Sequence, residues 1–422
     1  MSVSYLFSYQ KKEILNNGII LIHNHNSEQP IVAITIFLKM GSIYEPHNLG
    51  GISSLLQSVI IKGTKNRTAQ QIAEEIETLG GSISADSDYD YSTLSVAVGS
   101  KYFDRAVEIM ADIFLNPVFE KNEIEKEKFN LIASIISRRD NIFNVAIDEL
   151  LYNLYGKKHP YRQIPEGNVK TLKKIHRKQL IDWWQKFYGV ENNNIVIVVS
   201  GDIDFETSKT IIMKHFEKIP KVKLPKIEYE NIKIKHKYVK KKTHFKQGYL
   251  MYGYKAPNLS KEKIKNFLYL KLLSLYLGGG MSGKLFEILR EQNSLGYETN
   301  CFYPTRFLDS HFVIYIGLDY DRVNIGKEKI NEIVEKLKLG ELFSEEDLKE
   351  VKSKFRGRYL LDHQTNLRQS WYLGFWEIMN FGYEYDKKYL EEIENINLED
   401  IRKVASEIFN KEFVLVELIP KK

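Results

Sequence analysis

The stretch LSVAVGSKYFDRAVEIMADIF, residues 94–114, indicates the fold class, because its layout recurs in the second half of the chain. A β-rich run ends in glycine, and a short aromatic-acidic turn then leads into an amphipathic helix. Residues 312–337, FVIYIGLDYDRVNIGKEKINEIVEKL, repeat that order. Acidic segments that begin at Phe119 and Phe343 follow, and each leads into a long predicted helix. Duplication of one α+β unit explains this pattern.

The duplication predicts two homologous α+β domains, each a mostly antiparallel sheet with helices packed mainly on one face. The predicted boundaries are 1–219 for the first domain, 220–228 for a linker and 229–422 for the second domain. The length supports two domains, because 422 residues exceed the size at which a single core keeps growing.

The composition is that of an ordinary globular protein, with 43% apolar and 27% charged residues. The net charge of +6 is spread along the chain and does not indicate binding to nucleic acid or membrane. Few aromatic residues or arginines accompany the lysines of residues 220–246, so a solvated basic connection is favoured over a nucleic-acid site. The single Cys301 excludes an intrachain disulfide and a cysteine-based zinc cluster. No signal-peptide core is visible, so a cytoplasmic location is expected.

The stretch GISSLLQSVIIKGT, residues 51–64, predicts a one-sided helix, because its apolar residues recur at helical spacing. The other face carries Ser54, Gln57 and Ser58, an unusual surface for a helix with so strong an apolar side. Two interpretations stay open from the pattern alone. The helix is a core element with a polar side, or the polar face marks a site.

Several motifs along the chain are similar to those of one family. They are NGIILI, GSIYEPHNLGG, the helix that ends in KGT, HPYRQIPEGN, VVSGDID and LGGGMSGKLFEILREQNSLGYET, and the last is the most specific. Through them the chain resembles the pitrilysin-type (inverzincin, M16-like) metallopeptidases, which include the mitochondrial processing peptidase and two-domain bacterial relatives. The resemblance runs nearly end to end and implies two homologous α+β domains that form half of a clamshell.

Members that cleave peptides carry an H-x-x-E-H zinc motif on the helix that matches residues 51–64. Placed on this sequence, the two histidine positions fall on Ser54 and Ser58, and the general-base position falls on Gln57. The third-ligand position falls on Ser134, and Glu127 matches an accessory acidic position. Serine is a poor zinc ligand and a neutral glutamine cannot accept the proton, so the resemblance implies a degenerate zinc site with no metal in this chain.

The second half keeps a different part of the family's site. Arg290 and Tyr297 match an arginine and a tyrosine that hold the substrate backbone and help stabilise the tetrahedral intermediate across from the zinc half. The alternative is that Arg290 complements a helix C-terminus while Tyr297 packs in a core. The loop of Gly278, Gly279 and Gly280 lacks the lysine of a phosphate-binding loop, so we expect close backbone approach to a neighbour instead.

The histidines do not rebuild a metal site. His23 and His25 share one face of a predicted strand, for which we expect a solvent-exposed strand end rather than a metal pair. His159 precedes a proline and is expected to order a loop.

These features imply a zinc-free subunit of a heterodimeric metallopeptidase. It would act on peptide substrate in trans to a homologous H-x-x-E-H subunit that carries the zinc, and it would be inactive alone. The alternative is a non-catalytic scaffold or assembly protein of the same fold, like the core subunits related to this family.

Overall fold

The computed structural model describes residues 9–230 and 237–421, which form two compact units. The first unit comprises the described residues up to Ile135, Ile164–Glu228 and Leu360–Asp386. The second comprises Ile136–Gln163, the described part of Tyr229–Tyr359, and the described residues from Lys387 onward. Each unit therefore takes in a segment from the other half of the sequence, unlike the contiguous domains predicted above.

The strands of the described residues fall into two sheets. They are β1 (Gln10–Ile14), β2 (Ile20–His25), β3 (Ile31–Leu38), β4 (Ser82–Ser87), β5 (Ser92–Gly99), β6 (Ile195–Gly201), β7 (Lys237–Thr243), β8 (Gly248–Ala256), β9 (Glu298–Phe302), β10 (Ser310–Leu318) and β11 (Phe413–Pro420). Residues 231–236 of the predicted first strand of the second domain lie outside the described residues.

The α-helices of the described residues lie in groups between groups of strands. They are α1 (Ile52–Ile60), α2 (Ala69–Thr78), α3 (Phe103–Leu115), α4 (Lys121–Ser137), α5 (Ile142–Leu154), α6 (Val169–Leu172), α7 (Arg177–Phe187), α8 (Phe205–Phe216), α9 (Ile264–Gly278), α10 (Val323–Leu339), α11 (Glu345–Asp362), α12 (Asn366–Ile378), α13 (Tyr385–Glu394) and α14 (Leu398–Phe409). Within residues 9–230 and 237–421, no helix is both long and apolar enough to cross a membrane.

The repeated layout read from the sequence is confirmed. In the first unit, β5 leads through the turn Ser100–Tyr102 into α3. In the second, β10 leads through the turn Tyr320–Arg322 into α10. The two units are thus α+β structures built on the same strand–turn–helix order.

The first sheet has the strand order β1-β2-β6-β3-β5-β4. Strand β2 runs parallel to β6, and the other neighbours are antiparallel, as predicted for a mostly antiparallel sheet. One face carries the core, in which Ile34 and Val96 pair across β3 and β5 and are both buried beneath the helices. Helix α1 lies in this core and also packs beside β4, which places it at one edge of the sheet.

The second face of this sheet is covered by α12. The hydroxyls of Thr35 and Ser370 lie 2.7 Å apart, joining β3 to that helix. Gly374 allows close approach, because a Cβ atom there would lie 2.3 Å from a ring carbon of Phe37. A segment from the C-terminal half of the sequence therefore completes the N-terminal sheet.

The second sheet has the order β7-β11-β8-β10-β9, with β7 and β11 parallel. Its two faces are distinguished by neighbouring residues of β8. Gly253 faces α5, where an added Cβ would lie 2.7 Å from the Leu150 side chain. Tyr254 points the other way and packs edge-on against Phe409 of α14, with ring centroids 5.0 Å apart. Helix α5, from the N-terminal half of the sequence, thus covers the C-terminal sheet.

Candidate functional site

Two positions on α1 match the zinc ligands of the family's motif. The serine side chains at both positions form hydrogen bonds within the protein. Ser54 is 9% exposed, and its hydroxyl donates a hydrogen bond to the carbonyl oxygen of Pro165 at 3.0 Å. The Ser58 hydroxyl donates to the carbonyl oxygen of Ser54, one turn back along the helix, also at 3.0 Å. A serine hydroxyl bonded to its own helix is occupied locally rather than aimed at a ligand.

The general-base position, Gln57, is buried with only 1% of its surface exposed. Neither atom of its amide finds a hydrogen-bond partner among the described residues, and the same holds for the Tyr188 hydroxyl. Burial raises the pKa of Tyr188, and the neighbouring Gln57 amide opposes that rise. The two polar groups are therefore buried neighbours that form no hydrogen bond with each other.

Helix α4 supplies the other two predicted positions. Ser134 lies on the exposed surface of this helix. Glu127 is largely buried and forms an ion pair with Lys62 at 3.3 Å, just beyond the end of α1. The accessory carboxylate is thus neutralised by a lysine of the protein itself.

These residues do not fit a zinc ion. They offer two hydroxyls with other partners, a neutral amide and an exposed serine, whereas zinc prefers imidazole, thiolate or carboxylate. In residues 9–230 and 237–421 no group of three or more His, Cys, Asp or Glu residues has an arrangement that could hold a metal ion.

The start of α1 is fixed by a carboxylate. Glu45 accepts hydrogen bonds from the backbone amides of Gly51 at 2.7 Å and Ser53 at 2.8 Å. Such amides at a helix N-terminus lack helical partners, and the helix dipole favours a negative charge there. Burial nevertheless raises the pKa of Glu45 to about 7, opposed by these two hydrogen bonds, with Glu166 adding repulsion.

Arg290 and Tyr297 lie together on the surface of the second unit. Arg290 is in a π-helical segment, Phe286–Gln292, and its guanidinium lies 4.9 Å from the Phe286 ring centroid. It contacts the carbonyl oxygen of Tyr297 at 3.4 Å. Tyr297 is 63% exposed, and its hydroxyl lies 3.4 Å from an Asp319 carboxylate oxygen. The alternative that Tyr297 packs in a core is thereby excluded.

A tight turn sets the spacing between the two residues. Ser294 and Gly296 both have positive φ angles, +50° and +75°, and the intervening Leu295 is fully buried. Arg322 holds the turn by donating to the carbonyl oxygen of Asn293 at 3.1 Å. Because Leu295 anchors the turn, the residues on either side of it project to the surface.

The glycine-rich loop lies at the end of α9. A Cβ atom on Gly278 would lie 2.2 Å from the side-chain oxygen of Asn300, and one on Gly279 would lie 2.4 Å from Nζ of Lys354. Gly280 has a φ of +86° with open space around it. Lys354 also donates to the Ser282 hydroxyl at 2.6 Å, so this lysine packs across the loop.

Two models of one protein family match this chain. Residues 20–164 match the family described as insulinase (peptidase family M16), and residues 174–355 match the peptidase M16 inactive domain. The chain belongs to peptidase family M16. An uncharacterized zinc protease of Rickettsia felis is 27% identical over 399 residues, covering 94% of each chain. Mitochondrial cytochrome b-c1 complex subunit 1 of Rattus norvegicus is 25% identical over 209 residues, which is 50% of this chain and 43% of that protein.

Solved structures share the fold of this M16 chain. A protease from Helicobacter pylori superposes with a TM-score of 0.89 at 20% identity and covers 98% of this chain and 100% of that one. A peptidase M16 inactive domain from Pseudomonas fluorescens gives a TM-score of 0.88 at 21% identity, with 98% of each chain covered. At these identities the likeness shows the α+β fold alone.

One prediction about the histidines of this M16 chain was wrong. His23 is not at a solvent-exposed strand end, because it is 1% exposed and its Nε2 lies 2.9 Å from the carbonyl oxygen of Ile203. Nδ1 of His25 contacts that same carbonyl at 3.0 Å. The predicted shared face is present, but the strand lies against the loop that follows β6 rather than against solvent. His159 does order its loop, since its Nδ1 accepts a hydrogen bond from the Tyr161 amide.

Sequence reasoning missed three groups beside the predicted site residues: Glu45 and Tyr188 in the first unit, and Lys354 in the second. Glu45 lies within the motif GSIYEPHNLGG, where an acidic residue six positions before a predicted helix was a usable sign of capping. Tyr188 and Lys354 carry no such local sign. Tyr188 meets Gln57, 131 positions earlier in the sequence, only through tertiary packing. Lys354 likewise meets Gly279, 75 positions earlier.

Proposed function

We propose that this chain is the zinc-free subunit of a heterodimeric M16 metallopeptidase and binds peptide for a zinc-bearing partner. The observation that carries the proposal is the exposure of Arg290 and Tyr297 beside each other on the second unit. In the same chain, Ser54, Gln57 and Ser58 offer two hydrogen-bonded hydroxyls and a neutral amide, which zinc does not prefer as ligands. The chain thus presents the arginine and tyrosine of such a site to solvent but lacks the residues of the zinc motif.

The chemistry of the exposed pair suits a peptide backbone. A guanidinium offers several charged N–H donors in a fixed plane, which can bind a peptide carbonyl. The Tyr297 hydroxyl has only a long contact, 3.4 Å, with Asp319, so its proton can turn to another acceptor. A tyrosine hydroxyl so placed can donate to the oxyanion that develops when a peptide bond is attacked.

The first unit also offers a place for an extended peptide. Strand β4 is the outer strand of its sheet beside α1, and its side chains alternate between exposed and half-buried. An outer strand presents backbone donors and acceptors to which a peptide can add as a further strand. Its outward residues, Ser82, Ser84 and Asp86, are small enough to let a peptide approach.

The partner in this proposal is a homologous M16 chain with an intact H-x-x-E-H motif, and zinc belongs to that chain. The cytoplasm, expected from the sequence, is the proposed location, which fractionation of the source cells would test. Elemental analysis of the purified chain should give far less than one zinc per molecule. Stoichiometric zinc that survives a mild chelator would contradict the proposed division of roles.

Co-expression with an H-x-x-E-H homologue from the same genome tests the proposal directly. We expect the two chains to co-elute on size exclusion and to hydrolyse a quenched fluorescent peptide library. Each chain alone should be inactive or nearly so. Hydrolysis by the isolated zinc-free chain would overturn the assignment.

A non-catalytic scaffold is the second candidate. The match of half the chain to cytochrome b-c1 complex subunit 1 favours it, since that protein's name describes a subunit of a larger complex. A stable complex with no peptide hydrolysis in any pairing would support the scaffold. Hydrolysis that depends on Arg290 and Tyr297 would exclude it.

A further inference from the structure

A groove of about 340 Å³ lies on the second face of the first sheet, between β4, β5 and the side of α12. Helix α12 packs mainly on β3 and β6, so the outer part of that face is left open. The floor of the groove carries Ser84 and Asp86 of β4, and its wall carries Arg368 and Trp371 of α12. The groove is large enough to receive a long side chain of a ligand.

The register of the sheet places Asp86 on the α12 face. Residues that lie directly opposite each other on antiparallel strands point to the same side of a sheet. Asp86 lies opposite Thr93, which in turn lies opposite Phe37. The ring of Phe37 faces α12, since its centroid is 6.3 Å from that of Trp371. The carboxylate of Asp86 is therefore directed to the groove and away from the core helices on the other face.

The groove is lined by more negative than positive charge. Asp86 is exposed, and Asp88 follows it between β4 and β5. Arg368 is the one cation among the lining residues that the structure describes. Its guanidinium lies 3.6 Å from the carboxylate of Asp362, which is outside the groove. Because this cation already has a partner, the two carboxylates of the groove favour a positively charged ligand.

One side of the groove is aromatic. The half-buried rings of Tyr91 and Trp371 meet edge to face, with centroids 6.3 Å apart. The guanidinium of Arg368 already lies 5.4 Å from the centroid of the Trp371 ring. A planar guanidinium stacks on such rings and also forms paired hydrogen bonds with a carboxylate, whereas an ammonium group acts as a point charge. The groove therefore suits an arginine side chain better than a lysine.

The groove also lies beside the open edge of β4, the outer strand of its sheet. A peptide that adds to this edge as a strand directs every second side chain to the α12 face. The residue opposite Asp86 would then have its Cβ about 5 Å from the Cβ of Asp86, within reach of a long side chain.

We propose that this groove is a subsite for an arginine side chain of a peptide that adds to β4. Asp86 binds the guanidinium, and Tyr91 and Trp371 pack against its plane. The inference rests on the proposed peptide-binding role and adds to it a preference among peptides.

Fluorescence anisotropy of the full zinc-free chain with labelled peptides tests the subsite without any hydrolysis. The probes are short peptides in which threonine alternates with arginine, lysine, glutamine or glutamate. We expect the arginine peptide to bind about tenfold more tightly than the glutamine peptide, with the lysine peptide between them. The chain has a net charge of +6, so diffuse attraction would favour the glutamate peptide instead.

Asp86→Lys should reverse this order, so that the glutamate peptide binds more tightly than the arginine peptide. Trp371→Leu should reduce the advantage of arginine over lysine, because the stacking surface is lost. Asp182→Lys is the matched control, since Asp182 is exposed on α7 in the same unit and does not line the groove. It makes the same charge change and should leave the order of the peptides unchanged, because distant surface charges are screened.

Equal binding of the arginine and glutamine peptides by the wild type would overturn the subsite and leave the proposed function standing. No binding of any peptide would overturn both the subsite and the peptide-binding role. An equal loss of preference in Asp182→Lys and Asp86→Lys would show a diffuse effect of charge and would also overturn the subsite. Melting curves of each variant exclude misfolding as the cause, and the surface change at Asp86 keeps the test independent of packing at Trp371.

Discussion

The guanidinium of Arg290 lies 3.4 Å from the carbonyl oxygen of Tyr297, across a turn whose central residue is buried. The contact ties the two residues through the backbone and leaves the tyrosine ring 63% exposed. An arginine that served only its own helix terminus would not need a surface tyrosine beside it. The arrangement suits two side chains that meet a shared ligand from one turn.

Under the proposed function, replacing Tyr297 by phenylalanine should lower turnover of the reconstituted heterodimer by about 10²- to 10³-fold, the effect of losing one oxyanion donor. Partner affinity and melting temperature should change little, since the hydroxyl makes only a long surface contact. Tyr320→Phe is the control, as Tyr320 is an exposed tyrosine, 44%, in the same unit. Steady-state kinetics of the three heterodimers gives the answer, and wild-type turnover in Tyr297→Phe would favour the scaffold.

Under the proposed function, Arg290→Ala should raise the Michaelis constant as well as lower turnover, because the guanidinium would also bind the peptide before chemistry. Arg290→Lys should restore little of either, since a point charge does not reproduce a planar set of donors. The same kinetics separates the two effects. Full rescue by lysine would mean that the charge alone matters.

Gln57→Glu should destabilise the chain at neutral pH. It places a carboxylate beside the Tyr188 hydroxyl at a position that is 1% exposed. An unsatisfied buried group costs about 1–3 kcal/mol, and more when it is charged. Thermal melting should show a loss of roughly 2–4 °C per kcal/mol.

Gln57→Leu is the counterpart of that change. It removes an amide whose two polar atoms lack partners among the described residues, so it should be neutral or stabilising. If Glu and Leu at this position melt alike, the site is more hydrated than its burial indicates.

Acid should weaken the second unit through two buried histidines. Burial lowers the pKa of His159 to about 4 and that of His311 to about 3, with nearby Arg306 adding to the effect at His311. Because the unfolded chain takes up these protons near pH 6.5 and the folded chain does not, stability falls as pH drops from about 6.5 towards 4. Each histidine contributes up to about 1.4 kcal/mol per pH unit in that window.

The variant His159→Asn isolates one of these contributions. Asparagine can keep the acceptor for the Tyr161 amide but does not titrate. Melting temperatures at pH 7.5, 6 and 5 should therefore fall less steeply in this variant than in the wild type. The exposed His47→Asn is the control and should follow the wild-type slope. Comparing slopes also removes the opposing contribution of Glu45, whose pKa is raised.

Gly374→Ala should destabilise the first unit by about 1–3 kcal/mol, because the new methyl group meets Phe37 in a packed interior. Gly357→Ala is its matched control within a helix. Nothing lies within 4 Å of a Cβ atom there, so alanine should stabilise α11 by up to about 1 kcal/mol. Chemical unfolding of both variants measures the difference. If Gly374→Ala instead stabilised the chain and Gly357→Ala destabilised it, the packing of α12 would be loose.

Local sequence patterns predicted the helices and strands near the candidate site residues. Thr68 and Gln71 form a capping box at the start of α2, an example of a helix end that is set by nearby backbone chemistry. The periodicity of residues 51–64 gave α1 and its buried face for the same reason. The repeated strand–turn–helix layout gave the fold class.

Local sequence patterns could not predict the long-range contacts. The sequence of α5 is amphipathic, but nothing in its periodicity says which sheet it covers. His23 was misplaced because alternation along β2 does not reveal the loop whose Ile203 carbonyl lies against it. The partner of Glu127 is likewise a lysine 65 positions away, and residue spacing alone does not identify such pairs.

The exchanged helix α12 has a consequence for biosynthesis. The first sheet is finished at residue 201, yet the helix that covers its second face ends at residue 378. While the ribosome adds the intervening 177 residues, Phe37 and its neighbours on that face have no α12 against which to pack. The nascent chain thus carries an exposed aromatic surface through almost half of its translation, a natural place for a chaperone to hold it.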